Sequence, residues 1–579
     1  MDGNYPHSPI PQLRKLLETA IDEARESTDP GQLEKLLDTV INKIHEFSEA
    51  QAGRIQRLTR IGIALSAEKN IDILLEMIID EAMRFTHADA GTLYIVDDDA
   101  ANLQFKILKN RTLKVHKGGT SKQPVKLPPV PLTRSGRPNH ANVSSYAALT
   151  GEIVNIEDVY QAEGFDFTGP KAYDARTGYR SRSMLVLPMK NHHNEVIGVL
   201  QLLNATDPAS GDVVPFSWEN DDFVIALASQ AAVALENARL IYDLQVLFDA
   251  FIESIATAID EKSPYTAGHI RRVAELTMHI AGEVNRSQSP PFTGFQFTPE
   301  ELEELRIAAW MHDVGKITTP EHVVDKASKL ETIYDRIGLV RTRFQLIRQV
   351  MENEILQQKL ARLQNGAGAG ELAQLDAQLQ KALRKLKRDE AFLRKCNRAS
   401  ERMSDRDIER LRRIAAQTYR LNGKDLPYLT KNELYNLSVR RGTLNVEERK
   451  VIENHALVSF KMLKQLPFPK NLARVPEYAG GHHEKLDGSG YPFGLQAESL
   501  PLQARIMAVA DIFEALTAKD RPYKSPMKLS QALRILKNMS EQQHIDPDIY
   551  RLFIGSGIYL EYALRELNKE QIDVIPEGM

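Results

Sequence analysis

The chain has 579 residues, enough for two to four domains with sizeable cores. Its composition, 42% hydrophobic and 26% charged, is that of an ordinary soluble protein, and a net charge of −4 provides no basic field to attract nucleic acid. The single cysteine, Cys396, excludes an intramolecular disulfide framework and fits a reducing cytoplasm. The apolar stretch at 223–235 is too short to span a bilayer and the first residues lack a signal-peptide pattern, so we expect a cytoplasmic protein without a membrane segment.

Two patterns occupy the first 240 residues. Apolar residues at helical spacing predict an N-terminal helical segment over 1–56. From 57 onward a helical stretch leads into strand patterns at 90–99, 183–190 and 195–205, which predict an α+β sensor module over 57–240. His192 and His193 lie in the polar turn between the last two strands, and we expect them on the surface.

The segments AGTLYIVDDD, SMLVLPMKNHHNEVIGVLQLLNA and FVIALASQAAVALENARL resemble, in order and spacing, a GAF domain. GAF domains that bind cyclic nucleotides carry an Asn-Lys pair where this chain has Asn204-Ala205. The resemblance therefore implies either a sensor for an unknown ligand, with cyclic nucleotides disfavoured, or a purely structural, dimerising module.

An unbroken helical pattern covers 223–262. Its apolar residues Leu235, Ile241, Leu244, Leu247 and Phe251 are spaced mostly three or four apart. The pattern predicts a connector helix over 241–264 that pairs two copies of the chain in a homodimer; a rigid spacer would have the same pattern.

The second half of the chain contains histidines and aspartates on predicted helices. Thr298, Pro299 and Glu301 predict the start of a helix that reaches His312-Asp313, and Gly315 is placed to terminate it. A single histidine on a helix is usually a core or surface residue. Several histidines and aspartates on separate helices are not explained together by core packing or surface exposure. The set comprises His269, His312, Asp313, His455, His482, His483 and Asp511.

The segments YTAGHIRRV, MHDVGKI, KASKL, VIENH, HHEKLDGSGYP and AVADIFEALTAKDRPYK resemble the HD-GYP family, a branch of the all-helical HD superfamily of metallophosphohydrolases. The resemblance implies such a domain over 265–560, followed by a tail over 561–579. It also implies one metal on His269, His312, Asp313 and Asp511 and a second on His455, His482 and His483, with Asp313 bridging. Fe or Mn suits these ligands best, with Zn or Ni as alternatives. Tyr265 stands where some members carry the Glu of a third metal, so we predict two metals.

The substrate implied by the family is cyclic di-GMP, hydrolysed to pGpG and in many members to GMP. Asp313 and Lys316 are then the expected catalytic residues, and the expected substrate contacts are Lys316, Gly490, Tyr491, Arg521 and Lys524. A solvated lysine past a helix end is the alternative for Lys316. Alternative functions are hydrolysis of cyclic GMP-AMP, a non-catalytic cyclic dinucleotide receptor, and mononucleotide hydrolysis, against which the GYP element argues.

An insertion over 332–441 departs from the family. Apolar residues in alternating steps of three and four flank the turn NGAGAG at 365–370, which predicts an antiparallel helical (coiled-coil) hairpin. It could cover the active site, bind a partner or act as a dimer strut. Its basic run at 381–398 is expected to be a solvated helix face rather than a nucleic-acid contact. The predicted fold is thus a multidomain chain: an α+β GAF sensor, a long connector helix, and an all-α HD-GYP domain with an inserted helical hairpin.

Overall fold

The computed structural model describes Thr19 and residues 30–97, 99–217, 221–262, 268–398, 402–519 and 526–574. The chain divides into two compact units, Met1–Leu247 and Phe248–Met579. The predicted arrangement of an α+β domain followed by a mostly helical domain is confirmed. The predicted helical segment over 1–56 falls partly outside the described residues.

The first unit is an α+β fold built on one antiparallel sheet. Its helices are α1 (Pro30–Ala67), α2 (Ile71–Phe85), α3 (Val143–Thr150), α4 (Thr168–Thr177) and the first part of α5 (Asp221–Asp260). Its strands are β1 (Ala88–Val96), β2 (Asn102–Asn110), β3 (Val115–Gly118), β4 (Val130–Pro131), β5 (Thr133–Arg134), β6 (Arg137–Pro138), β7 (Val154–Ile156), β8 (Met184–Lys190), β9 (Val196–Thr206) and β10 (Val213–Val214). The main sheet has the order β3-β2-β1-β9-β8-β7, with β10 beside β9 and β4 beside β2.

The three predicted strands correspond to β1, β8 and β9. The core around them includes Leu74 and Ile78 from α2, Leu187 and Leu200 from the sheet, and Leu227 from α5. Asn70 caps α2 by accepting hydrogen bonds from the backbone N–H groups of the first turn.

The polar turn between β8 and β9 carries His192 and His193. The side chain of His192 is 59% exposed, and its Nδ1 lies 2.9 Å from Glu236 Oε2. The two histidines are therefore surface turn residues, as predicted, and His192 has an acidic partner that the sequence did not indicate.

Helix α5 is continuous from Asp221 to Asp260, as the pattern over 223–262 predicts. Leu235 is buried in the core of the first unit. The apolar side chains that follow it are more than half exposed: Leu240, Ile241, Leu244, Leu247 and Phe251. This exposed stripe leaves an apolar surface for a partner.

A longer part of α5 than the stretch at 223–235 has apolar character. The segment Phe223–Asp260 is long and apolar enough to cross a membrane by length and composition alone, but 44% of its most apolar 18-residue window is buried within the protein. Core helices of soluble proteins have the same property, so this is weak support for a membrane segment.

The second unit is mainly helical. After α5 it contains α6 (His269–Arg286), α7 (Pro299–Met311), a 3-10 turn (Val314–Thr318), α8 (Glu321–Val324), α9 (Ile337–Gln364), α10 (Ala369–Cys396), α11 (Asp405–Ala415), β11 (Thr418–Leu421), β12 (Lys424–Pro427), α12 (Lys431–Leu437), α13 (Val446–Lys464), a 3-10 turn (Lys470–Leu472), α14 (Val475–Gly480), α15 (Leu502–Thr517), α16 (Leu529–Glu541), α17 (Pro547–Gly555), α18 (Ile558–Glu566) and a 3-10 turn (Lys569–Gln571). The core packs α6, α7 and α15 together through residues such as Val273, Leu305, Val509 and Phe513.

The insertion forms more than a helical hairpin. Helices α9 and α10 do pack antiparallel, with ion pairs from Lys359 to Asp376 and from Arg341 to Glu390. The prediction of a hairpin alone is nevertheless wrong for 402–441, where α11, the β11–β12 hairpin and α12 complete a separate core around Phe344, Leu393, Leu411, Tyr428 and Leu437. Cys396 is buried in this core, and burial raises the pKa of its thiol to about 11.

Candidate metal centre

Seven side chains converge from separate elements of the second unit. His269 opens α6, His312 is the C-cap residue of α7, and Asp313 is the N-cap residue of the 3-10 turn that follows. His455 lies within α13, His482 and His483 follow α14, and Asp511 lies within α15. Six of the seven are buried, and His483 is partly exposed. All seven residues predicted as metal ligands are therefore brought to one site.

Asp313 lies at the middle of the cluster. Its Oδ2 is 3.4 Å from His269 Nε2 and 3.3 Å from His312 Nε2, whereas its Oδ1 is 3.3 Å from His455 Nε2. Asp511 Oδ1 lies 3.3 Å from His269 Nε2. The two oxygens of one carboxylate thus face two different groups of histidines, as a bridging ligand requires.

Two groups of ligand atoms result. The side chains of His269, His312 and Asp313 offer one ligand atom each within 4.8 Å of one another, and those of His455, His482 and His483 do the same. The ring centroids of His482 and His483 are 4.0 Å apart. The two adjacent histidines therefore contribute to the same group of ligand atoms.

The same backbone contact orients three of the imidazoles. His312 Nδ1 is 2.7 Å from the carbonyl oxygen of Ala309, His482 Nδ1 is 2.6 Å from that of Ala479, and His455 Nδ1 contacts the carbonyl oxygen of Ile452. Each Nδ1–H donates to its carbonyl, which leaves the lone pair on Nε2 for a ligand.

The atoms so oriented have no hydrogen-bond partner. Among the described residues, the buried atoms His312 Nε2, Asp313 Oδ1, His455 Nε2 and His482 Nε2 accept no hydrogen bond. Buried polar atoms without partners are costly, at about 1–3 kcal/mol each. Divalent cations would satisfy all four, and imidazole with carboxylate suits Fe, Mn, Zn or Ni. The residues present therefore fit a metal centre.

The protonation states of His482, His483 and Asp313 also suit metal binding. Burial lowers the pKa of His482 well below its usual value and lowers that of His483 to about 3, so both rings are neutral at pH 7. Burial alone would raise the pKa of Asp313, but the ammonium of Lys316 and the neighbouring histidines outweigh it and hold that pKa well below the usual range. Neutral imidazoles and ionised carboxylates are the forms that bind cations.

Glu514 and Arg272 complete the site, and the sequence analysis missed both. His269 Nδ1 lies 2.5 Å from Glu514 Oε2, and Arg272 Nε donates to Glu514 Oε1 at 2.7 Å. Glu514 is three residues after Asp511, hence on the same helix face, and this spacing could have identified it. The carboxylate orients His269 so that its Nε2 faces Asp313.

We expect Glu514→Ala to weaken metal binding by about 10–100-fold, as loss of an outer-shell partner of a ligating histidine usually does. Glu514→Gln retains an oxygen that accepts from His269 Nδ1–H and should lose less. Metal affinity measured by chelator competition checks this, with the exposed residue Glu541 changed to Ala as the control. Equal affinities for Glu514→Ala and the unmodified chain would contradict the orienting role.

Lys316 lies against the candidate bridging carboxylate. Its Nζ is 2.6 Å from Asp313 Oδ2, and its side chain is only 21% exposed. This position differs from that of a solvated lysine past a helix end and places a positive charge at the metal centre.

Gly315 has a different role from the predicted one. Helix α7 ends at Met311, before Gly315, so the prediction that this glycine terminates the helix is wrong. A Cβ at Gly315 would lie 2.1 Å from the carbonyl oxygen of His455, and its N–H donates to Ser459 Oγ at 2.8 Å. The glycine lets the turn bearing Lys316 pack directly against the backbone of α13.

The loop after His483 is held by Glu484. This buried carboxylate accepts hydrogen bonds from the backbone N–H groups of Phe493, Gly494 and Leu495, at 2.6, 3.1 and 3.0 Å. At Gly490 the close approach is to the protein's own backbone, since a Cβ would lie 2.4 Å from the nitrogen of Lys485.

Of the residues predicted to contact substrate, Tyr491 lies at the rim of the site. The ring of Tyr491 is tilted against that of His483, with centroids 4.8 Å apart, so Tyr491 borders the metal centre. Arg521 and Lys524, predicted to contact substrate, lie outside the described residues, as does Tyr265.

A separate cavity of about 710 Å³ lies within the first unit. Gln201 Oε1 accepts hydrogen bonds from Tyr94 Oη at 3.0 Å and from Ser144 Oγ at 2.9 Å on its wall. Of the charged residues on the wall, Lys109 is ion-paired with Glu76 and Asp80, and Arg134 and Asp166 are exposed. The interior is therefore apolar with uncharged polar groups.

Models of known protein families match residues in both units. The model of the GAF domain family matches residues 70–235. Models of the HD domain match residues 266–389 and 384–549.

Curated relatives match parts of the chain. A "3'3'-cGAMP-specific phosphodiesterase 3" of Vibrio cholerae is 30% identical over 354 residues, covering 59% of this chain and 48% of that protein. The "3'3'-cGAMP-specific phosphodiesterase 1" of the same organism is 37% identical over 126 residues, covering 22% of this chain and 28% of the relative. A "Cyclic di-GMP phosphodiesterase" of Pseudomonas aeruginosa is 36% identical over 137 residues, covering 24% of this chain and 32% of the relative. The chain thus spans less than half the length of each of these relatives.

Proposed function

Because the chain carries a GAF domain followed by an HD domain, we propose that it is a sensor-regulated, metal-dependent phosphodiesterase that hydrolyses cyclic di-GMP to pGpG and further to GMP. The observation that carries the proposal is the position of Asp313, whose two oxygens face separate histidine groups. The names of the relatives add support, since all three are phosphodiesterases of cyclic dinucleotides.

In this proposal His269, His312, Asp313 and Asp511 hold one divalent cation, and His455, His482 and His483 hold a second that shares Asp313. When bound, two such cations make water nucleophilic at neutral pH and draw negative charge from phosphate oxygens. Fe or Mn is proposed before Zn or Ni, on the ligand types alone.

The chain's own residues contribute binding and charge. Lys316, beside Asp313, is placed to offset negative charge that grows on the phosphate in the transition state. Tyr491 at the rim offers a ring on which a nucleobase can stack. The contacts proposed for Gly490, Arg521 and Lys524 rest on the family resemblance.

A second candidate substrate is 3′3′-cyclic GMP-AMP, because two of the three relatives are named as specific for it. The full chain, loaded with Mn²⁺ or Fe²⁺, should be assayed separately with each dinucleotide and the products separated by chromatography. We expect linear pGpG and GMP from cyclic di-GMP, at a higher kcat/KM than that for the mixed dinucleotide. Preference for the mixed dinucleotide would correct the substrate, and binding without turnover of either would favour a receptor.

For the GAF domain we propose a neutral, largely apolar ligand, because no buried, unpaired charge among the described residues lines its cavity. We expect the neutral fluorescent probe N-phenyl-1-naphthylamine to bind the full chain and cyclic GMP not to displace it. Displacement by cyclic GMP would contradict the proposal.

We also propose a homodimer formed through the exposed apolar stripe of α5, and a cytoplasmic location. Sedimentation of the full chain should give the mass of two copies, and Leu244→Glu with Phe251→Glu should give that of one. A single-copy mass for the unmodified chain would contradict the dimer, and recovery in the membrane fraction would contradict the location.

A further inference from the structure

The end of α5 contacts the turn that carries Lys316. Lys262 is the second residue after the end of α5, and its Nζ donates hydrogen bonds to the carbonyl oxygens of Lys316, at 2.9 Å, and of Ile317. The contact is therefore with the backbone of the 3-10 turn and not with the side chain of a candidate metal ligand.

The helix end is itself fixed in the second unit. Ile252, Ala256 and Ile259 are buried in its core. Asp249, earlier on α5, lies 2.5 Å from Arg306 of α7. The helical segment before Lys262 is therefore fixed in the second unit, and this sets how far the Lys262 side chain extends toward the turn.

The N-terminal part of the turn is fixed on α13 and in the core, where Val314 is buried. Its backbone is held by the hydrogen bond from Gly315 N–H to Ser459 Oγ and by the close packing of Gly315 on α13. The ammonium of Lys262 supplies the contact on the opposite, C-terminal part of the turn, where it neutralises the partial negative charge of two carbonyls. The position of Lys316 Nζ relative to Asp313 follows from where this turn lies.

From these contacts we infer that Lys262 is a positioning residue: it holds the 3-10 turn so that Lys316 lies at the metal centre, and it makes the end of the connector helix part of the catalytic apparatus. The inference rests on the proposed function, because the role of Lys316 in the reaction is part of that proposal. It implies that a displacement of α5 would be transmitted to the active site through the side chain of Lys262.

Two measurements test this on the full, metal-loaded chain. Hydrogen exchange should show faster exchange of the amides at 314–319 in Lys262→Met, which keeps the length of the side chain but cannot donate, with exchange in α15 unchanged. The kcat should fall about 10-fold or more, in the range seen for outer-shell residues, with little change in KM and in metal content. Lys262→Arg, which can donate to both carbonyls, should restore both readouts in large part.

Lys537→Met serves as the control, because the side chain of Lys537 is 64% exposed on α16. Unchanged exchange at 314–319 in Lys262→Met would overturn the inference, and so would loss of protection throughout the unit in both Lys262 variants. If the unmodified chain hydrolyses no cyclic dinucleotide, the proposed function fails, whereas the exchange measurement still decides whether Lys262 holds the turn.

Discussion

Asp313→Ala is expected to reduce turnover of cyclic di-GMP by more than about 100-fold, the upper end of the loss caused by removing an outer-shell partner. The carboxylate faces His269 and His312 with one oxygen and His455 with the other, so its loss removes a ligand from both proposed metals. We expect the metal content of the purified variant to fall together with its activity.

Two further variants make this result specific. Asp313→Asn keeps the shape of the side chain but loses the negative charge, and should lose metal almost as severely. Asp548→Ala, at a partly exposed position in the first turn of α17, should leave both readouts unchanged. Full turnover in Asp313→Ala would remove the bridging role of this residue.

Lys316→Met is expected to lower kcat by about 10²–10³-fold, the usual cost of removing one group that stabilises charge in a transition state. The ammonium lies 2.6 Å from Asp313 Oδ2, but it is not a metal ligand, because it has no lone pair when charged. Metal content should therefore stay close to that of the unmodified chain.

Metal content separates the two explanations for any loss of activity in Lys316→Met. Retained metal with a lower kcat places Lys316 at the substrate phosphate. Metal lost in parallel with activity would mean that Lys316 acts only by keeping Asp313 ionised, and would contradict a role in the transition state.

The seven predicted ligands could be found from sequence because each belongs to a short motif in a fixed order, and the structure brings all seven together. Glu514 and Arg272 were harder to identify. Glu514 contacts His269 from a helix 245 residues further along the chain, whereas Arg272 lies three residues after His269 on α6 and donates to Glu514. A lone Glu or Arg on a helix is normally a surface residue. The three-residue spacings Asp511–Glu514 and His269–Arg272 were the local signals for this pair.

The insertion is the opposite case, because its sequence contains a signal for a β-hairpin that the prediction did not include. Asn422-Gly423 lies between β11 and β12, with φ of 50° and 76°, and Asn-Gly between apolar runs is a strong hairpin signal. The apolar periodicity that predicts the hairpin covers 333–351 and 372–386, and the prediction assigns the rest of 332–441 to the same hairpin without such support. The apolar residues of α11 and α12 pack on α9 and α10 to form a separate core, which periodicity alone does not reveal.

The packing of Gly315 could not be predicted because it depends on a contact with α13, about 140 residues away in sequence. A glycine one or two residues after a helical pattern usually indicates a helix end, and here that local interpretation was wrong. The same long-range packing places Lys316, so the geometry of the candidate catalytic turn required the structure.

The central claim is that one cluster of imidazoles and carboxylates holds two cations. Its most direct test is metal analysis of the full chain purified without added metal, with protein concentration determined independently. The account predicts about two equivalents of Fe or Mn per chain, falling below one in Asp313→Ala. No bound metal in the unmodified chain, or about three equivalents, would contradict it.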